Sequence, residues 1–364
     1  VSATDPRDLD FMRAALSLAR RGLGNTYPNP AVGCLLVKDG LVIARGWTQP
    51  GGRPHGEAVA LAHAGHAAKG CTAYVTLEPC AHVGQTPPCA DALVAAGVKR
   101  VVVAIGDPDP RVAGKGLEIL RNASIEVTQD VCREEAWRTN LGFFLKVTQN
   151  RPMFTLKLAT DKNGHIPGPN AVGNDKWVTS AEARQRGHLL RANHDAVLFG
   201  IGTVLSDDPE YTCRLAGLAG QSPVRVLLDS QLRLPKDAKL LKTLDISPLW
   251  VLCGKDATGA EVLETLGVTI IRAPSAQPKP QWVAQELAAR GLTRVLIEAG
   301  PTVTSAFLEA GLVDEIAWFR APKALKSSGV SAFYAKAMEK LELTRQAVLQ
   351  AGPDQLELYD TRKA

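Results

Sequence analysis

The sequence predicts an α/β protein built from two domains, and three observations carry that expectation. Apolar runs of strand length alternate with amphipathic runs of helix length along nearly the whole chain. At 364 residues with 45% hydrophobic content, the chain exceeds the roughly 100–200 residues of an ordinary domain. The alternation is interrupted near residues 145–152, where LKVTQNRPMFTLKLATD passes from a helix end through a polar stretch and Pro152 into a new strand. The boundary is set there, giving domains 1–148 and 149–364.

The elements follow in order. Residues 8–21 place Leu9, Met12, Ala15, Leu16 and Ala19 on one helical face. PNPAVGCLLVKDGLVIARGWT predicts a hairpin turning at Lys38-Asp39-Gly40. HGEAVALAHAGHAA predicts a helix, and CTAYVTLEP a strand ending in a cysteine loop. CADALVAAG predicts a helix stopped at Gly97, VKRVVVAIGD a buried strand, and KGLEILRNASIEVTQDV a helix, turn and strand. In the second half AVLFGIG, VRVLLDS, PLWVLCG, VTIIRA, RVLIEAG and EIAWFRAP predict strands. SAEARQRGHLLRAN and QWVAQELAARG predict helices between them.

Composition narrows the function. A net charge of +5 without a Lys/Arg run permits a phosphorylated substrate and gives no argument for nucleic acid. No apolar run approaches the ~18 residues of a membrane span. The N-terminal VSATDPRDLDFMRAALSLARR opens with acidic residues and reads as an amphipathic helix, not a signal peptide. Seven cysteines, an odd number, predict a reducing cytoplasm and no disulfide framework.

LEPCAHVGQTPPC then needs another explanation for Cys80 and Cys89. RPHGEAVAL precedes it, with His55 25 residues before Cys80. Catalytic zinc takes three nitrogen or sulfur ligands and leaves a position open, and His55, Cys80 and Cys89 would supply those three. Glu57, two residues past the histidine, would shuttle protons without binding metal. Zinc nucleobase deaminases divide the work this way, as H-x-E followed by P-C-x-x-C. Here the cysteines are nine apart, so a simple C-x-x-C knuckle is excluded. Cys89 opens a helix, whose dipole favours its thiolate. The competing reading is two small core cysteines beside an unrelated histidine. His63 and His66 read as a solvated helix face, and Cys34, Cys71, Cys132, Cys213 and Cys253 as inert.

PNPAVG, PHGEAVAL and EPCAHVGQTPPC, in this order, resemble the deaminase half of the bifunctional riboflavin-biosynthesis deaminase–reductases, the RibD type. The likeness covers about residues 10–145 and closes on NLGFF. It implies a cytidine-deaminase-like three-layer α/β/α domain in which Asn29 contacts the pyrimidine and His82 helps hold the ribose phosphate. The family usually has Lys or Arg where Gln85 stands, and more often Ala at Gly56.

In the second half, VLFGIGTVLSDDP and VLIEAGPTVTSAFL each run strand, glycine turn, helix, a setting that suits an anion but is more often only a turn. TLKLA, GIGTVLSDDP, VRVLLDSQLRLP, LIEAGPTVTSAFL, GLVDEI and APK follow the order of the family's reductase half. That resemblance implies a dihydrofolate-reductase-like α/β domain using NADPH. Ala159, Trp177, Thr203, Asp207, Ser230 and Gly300 would line the cofactor. Lys157, Asp175, Arg191, Tyr211, Arg214 and Glu298 would face the sugar phosphate. Asp161, Lys162, Asn163, His165 and Asp175 depart from the family pattern.

The expectation is a cytoplasmic, two-domain enzyme, homo-oligomeric as a dimer or tetramer, with Zn2+ and NADPH as cofactors. It would deaminate 2,5-diamino-6-(5-phosphoribosylamino)pyrimidin-4(3H)-one and then reduce the ribosyl group of 5-amino-6-(5-phosphoribosylamino)uracil to ribityl. Its rivals are a deaminase with an inactive reductase-like domain, a nucleoside or tRNA deaminase, and a zinc-stabilised binding protein.

Overall fold

The structure, a computed structural model, describes residues 5–82, 87–168, 177–325, 329–338 and 341–362. Gln85 and Asp175 lie outside the described residues. Two compact units divide between Asn150 and Arg151. Residues 148 and 149 still belong to a helix, Leu141–Gln149, which ends at Asn150 in a left-handed conformation (φ 52°) that asparagine tolerates.

The first unit contains α1 (Pro6–Ala19), β1 (Gly33–Lys38), β2 (Leu41–Trp47), α2 (Gly56–Ala64), β3 (Thr72–Val75), α3 (Cys89–Ala95), β4 (Arg100–Val103), α4 (Lys115–Asn122), β5 (Glu126–Thr128), α5 (Arg133–Thr139) and α6 (Leu141–Gln149). The sheet order is β2-β1-β3-β4-β5, with β1 antiparallel to both neighbours and β3, β4 and β5 parallel. Asp39 and Gly40 turn the hairpin with φ of 51° and 78°, the positive pair that a two-residue turn of this hand requires.

Two glycines fix the layers. A Cβ on Gly33 would lie 2.0 Å from the Ala15 carbonyl oxygen of α1, and one on Gly46 would lie 2.1 Å from the Gly56 oxygen of α2. Gly46 pairs with Cys34, the residue after Gly33, so the two glycines open opposite faces of the sheet. Helix α1 therefore covers one face and α2 the other, making three layers. Asp8 ties α1 to the sheet, accepting from Tyr74 Oη at 2.7 Å and from the Arg100 fork at 2.9 and 2.7 Å.

The second unit contains β6 (Met153–Thr160), β7 (His165–Ile166), α7 (Ala181–Ala192), β8 (Ala196–Gly200), α8 (Ile201–Asp207), β9 (Val224–Leu228), β10 (Leu249–Cys253), α9 (Ala260–Thr265), β11 (Thr269–Arg272), α10 (Pro280–Ala289), β12 (Arg294–Ile297), α11 (Pro301–Glu309), β13 (Glu315–Arg320), β14 (Val330–Ser331), α12 (Ala335–Met338), β15 (Thr344–Ala351) and β16 (Asp354–Asp360). Nine strands form one sheet, β11-β10-β9-β8-β12-β6-β13-β16-β15. It is parallel from β11 to β13 and antiparallel at β16 and β15. The β15–β16 hairpin has no counterpart in the sequence reading, because β15 is solvent-exposed over most of its length and carries no apolar alternation. Arg225 is wholly buried in β9, its guanidinium donating to Leu240 O, Thr243 Oγ1 and Thr243 O at 2.7–3.0 Å.

Gly46→Ala tests the layering. The added methyl meets backbone, which cannot swing aside, and overpacking of this kind costs about 1–3 kcal/mol or more. Calorimetry should show the first unit melting several degrees lower and the second unit's transition unmoved.

Candidate active sites

In the first unit the chemistry collects where β3 and β4 end and α2 and α3 begin. His55 is the residue before α2, Cys89 is the first residue of α3, and Cys80 lies on the loop leaving β3. His55 Nδ1 stands 3.7 Å from Cys80 Sγ and 3.4 Å from Cys89 Sγ, and all three ligand atoms lie within 4.8 Å of one another. Tetrahedral zinc with bonds of about 2.0–2.3 Å sets its ligand atoms roughly 3.4–3.8 Å apart, so this donor set fits the ion in chemistry and in spacing. The Cys89 backbone N–H donates to Cys80 Sγ at 3.3 Å, which ties the cysteine loop to the start of α3.

His55 and Cys80 open into a cavity of about 370 Å³, also lined by Asn29, Arg53, Glu57, Glu78, His82, Asp107, Asp109, Arg111, Phe143 and Lys146, with Cys89 buried behind them. Two buried polar atoms of its lining have no hydrogen-bond partner among the described residues, Glu57 Oε2 and His82 Nδ1. Burial pushes the Glu57 carboxyl up to about 7, against the opposing charge of His55. Hydrogen bonding from the Cys89 side chain brings Cys80 down to about 4, with His55 adding to the effect. Cys89 is pushed up, by Cys80 beside it and by burial. A bound zinc would take both cysteines as thiolates.

Asn29 sits on the cavity wall and donates to the Gly52 carbonyl at 2.9 Å. Gly52 has φ 82°, and a Cβ there would lie 2.6 Å from Asn29 Nδ2, so the turn before His55 and the asparagine fit only around a glycine. NLGFF acquires a physical role. The Asn140 amide closes a reciprocal pair with the Ala31 backbone at 2.9 Å both ways, fixing the PNPAV segment, and Phe143 and Lys146 of α6 join the wall.

In the second unit the predicted residues gather at the carboxyl ends of the parallel strands, where open α/β sheets bind ligands. Lys157 and Ala159 share one face of β6. Thr203 and Asp207 lie on α8, Ser230 just beyond β9, and Gly300 immediately before α11. A Cβ on Gly300 would stand 3.8 Å from Thr203 Oγ1, so these two turns adjoin. Trp177 is 56% exposed, with the Arg184 guanidinium 5.0 Å from its ring centre. Tyr211, buried with φ 56°, stacks on Phe199 at 4.1 Å and donates to Glu298 O at 2.9 Å.

Arg191 forms a two-point pair with Glu298, at 2.6 and 2.9 Å, and Lys157 Nζ lies 3.7 Å from the same carboxylate. Arg214 is exposed and pairs with Glu210 at 2.9 Å. Asp161, a departure from the family pattern, is buried and accepts backbone N–H groups from Asn163, His165 and Leu325 at 2.8–3.0 Å. Its role is to tie the β6–β7 turn to the segment after β13.

The family described as the cytidine and deoxycytidylate deaminase zinc-binding region matches residues 6–105, and the RibD C-terminal domain family matches residues 169–356. The riboflavin biosynthesis protein RibD of Aquifex aeolicus is 44% identical, over 87% of this chain and 87% of its own. That of Escherichia coli K12 is 38% identical, over 96% of this chain and 98% of its own. The chain belongs to the RibD family. Among solved structures, Acinetobacter baumannii RibD is 40% identical with a TM-score of 0.86, covering 98% of this chain and 99% of that one. A Thermotoga maritima protein described as a diaminohydroxyphosphoribosylaminopyrimidine deaminase/5-amino-6-(5-phosphoribosylamino)uracil reductase is 32% identical with a TM-score of 0.86 over the same shares. The protein is accordingly a bifunctional enzyme of riboflavin biosynthesis, a deaminase domain that takes zinc and a reductase domain that takes NADPH. Among the described residues no helix is long and apolar enough to cross a membrane.

The sequence reading missed Glu78, Asp107, Asp109, Phe143 and Lys146 as parts of the first site. GDPDP after a buried strand was the available signal, since loops at the carboxyl ends of parallel strands face ligands.

The buried Glu298 pair makes acid stability a readout. Burial alone would raise this carboxyl, but Arg191 and then Lys157 bring it down to about 2, from 4.5. A carboxylate so depressed adds stability above its unfolded value and loses it as pH falls through the folded one. Denaturant melts should show the second unit losing stability between about pH 4.5 and pH 2. Glu298→Gln should flatten that range and destabilise the second unit at neutral pH, because two half-buried cations lose a buried counterion.

Proposed function

We propose that the first domain deaminates 2,5-diamino-6-(5-phosphoribosylamino)pyrimidin-4(3H)-one and that the second reduces the ribosyl group of the resulting 5-amino-6-(5-phosphoribosylamino)uracil to ribityl. The observation that carries the first half is the buried Glu57 oxygen, without a hydrogen-bond partner among the described residues, beside the three-ligand set His55, Cys80 and Cys89. A purely structural zinc site has no use for such an acid. His55, Cys80 and Cys89 hold the metal, which when bound supplies the Lewis acidity that makes water nucleophilic near neutral pH. Glu57 takes a proton from the attacking water and returns it to the departing amino group. Ammonia leaves, and the ring carbon keeps the oxygen. Asn29 and Asp107 offer polar atoms to the pyrimidine edge, and His82 to the ribose phosphate.

In the second domain NADPH, when bound, supplies the hydride. Ala159, Trp177, Thr203, Asp207, Ser230 and Gly300 hold it, with the N–H groups opening α11 suited to phosphate. Lys157, Arg191, Tyr211, Arg214 and Glu298 form the substrate side. Glu298 fixes the Arg191 guanidinium, and Lys157 and Arg214 add positive charge toward the sugar phosphate. Asp161 is engaged in shaping a turn, so that departure carries no argument against reduction. The enzyme works as a cytoplasmic homo-oligomer, a dimer or tetramer, on a small-molecule substrate.

Incubation with the diaminopyrimidine phosphate, followed by mass analysis, tests the whole reading. Without NADPH the product should have exchanged one amino group for oxygen. With NADPH it should also have gained two hydrogens, with matching loss of absorbance at 340 nm. Recovery of unchanged substrate would overturn the assignment.

Two variants separate metal from acid. Elemental analysis should find one zinc per chain in wild type and none in Cys80→Ala/Cys89→Ala. Glu57→Gln should keep it and lose ammonia release by about 10²–10⁴-fold, the usual contribution of a general acid–base group. Turnover near wild type in zinc-loaded Glu57→Gln would remove Glu57 from the mechanism.

A further inference from the structure

Glu78 stands two residues before Cys80, buried between the metal loop and the loop that leaves β4. Its backbone N–H donates to Ile105 O at 2.9 Å. Its carboxylate takes three backbone N–H groups from the far loop: Gly116 at 3.1 Å on Oε1, and Gly114 at 3.0 Å and Asp107 at 3.3 Å on Oε2. The loops also touch backbone to backbone, since a Cβ on Gly116 would lie 2.0 Å from the Pro79 carbonyl oxygen. Between these anchors the far loop presents Asp107, Asp109, Arg111 and Val112 to the cavity.

We propose that Glu78 is a positioning residue for deamination, locking the cavity wall Asp107–Val112 in register with the metal loop. This rests on the deaminase reading of the site. One carboxylate thus sets the distance between the group that carries out the chemistry and the wall that grips the substrate. The chemistry of the joint requires an acceptor-only side chain. An ionised carboxylate offers about four lone-pair positions to three N–H donors, whereas a glutamine amide turns two N–H groups of its own toward at least one of them. A simple alternative is that Glu78 only caps α4, whose N-terminus includes Gly114 and Gly116. A cap would affect melting temperature, not substrate affinity.

The test uses the full-length, zinc-loaded protein and two variants that strain the joint from opposite sides. Glu78→Gln removes an acceptor, and Gly116→Ala drives the loop off Pro79 with the carboxylate intact. Zinc content, melting temperature, and deaminase kcat and KM are measured for each. Both variants should retain one zinc per chain. In both, kcat/KM should fall by about 10²-fold, the scale of an ångström-level misplacement. The loss should fall mainly on KM, because the wall grips ground state and transition state alike. Wild-type KM in zinc-loaded Glu78→Gln would overturn the proposal. So would turnover that falls only in proportion to lost zinc, since Glu78 would then serve the metal alone. Ammonia release by wild type, measured alongside, separates failure of this proposal from failure of the deaminase reading.

Discussion

Two thiols, an imidazole and a carboxylate are crowded together at one largely buried site, and the first domain is organised around making that crowding tolerable. Buried negative charge is costly unless neutralised, and a thiolate pair beside Glu57 suits a dication better than any side chain. Three backbone features bring the donors together. The close approach at Gly46 and Gly56 seats α2 on the sheet with His55 at its start. The Cys89 N–H holds Cys80 in place. Glu78 draws in the loop that closes the cavity opposite.

The second domain solves a related problem with side chains. Glu298 is buried, and it is kept ionised by two cations, Arg191 and Lys157. This arrangement costs desolvation energy, but it fixes a guanidinium and an ammonium at the mouth of the parallel strands. On the reading proposed above, a sugar phosphate would meet donors already oriented, and each flexible side chain ordered on binding would otherwise subtract from affinity. Tyr211, in a left-handed conformation that side chains rarely adopt, is held there by Phe199 and the Glu298 carbonyl. The two domains therefore share a logic. Parallel strands end together, helices begin beside them, and polar groups that would be unstable alone are stabilised by one another.

The sequence by itself determined the alternating α/β architecture, the hairpin at Asp39-Gly40, and the residue types of the first site. These were legible because each is local. A two-residue turn needs positive φ, a strand needs its apolar run, and zinc needs histidine and cysteine, which here stand in the order H-x-E then P-C. The β15–β16 hairpin escaped because its first strand is exposed and carries no pattern.

Only the tertiary structure decided which polar residues act together. Arg191 and Glu298 are 107 positions apart, and Asn140 and Ala31 are 109 apart; no spacing rule links such pairs. Glu78 looked like part of a motif spelling, and three N–H groups from another loop gave it work. Local preference settles the backbone one turn at a time. The charge state and partner of a buried group depend on what the whole chain packs against it.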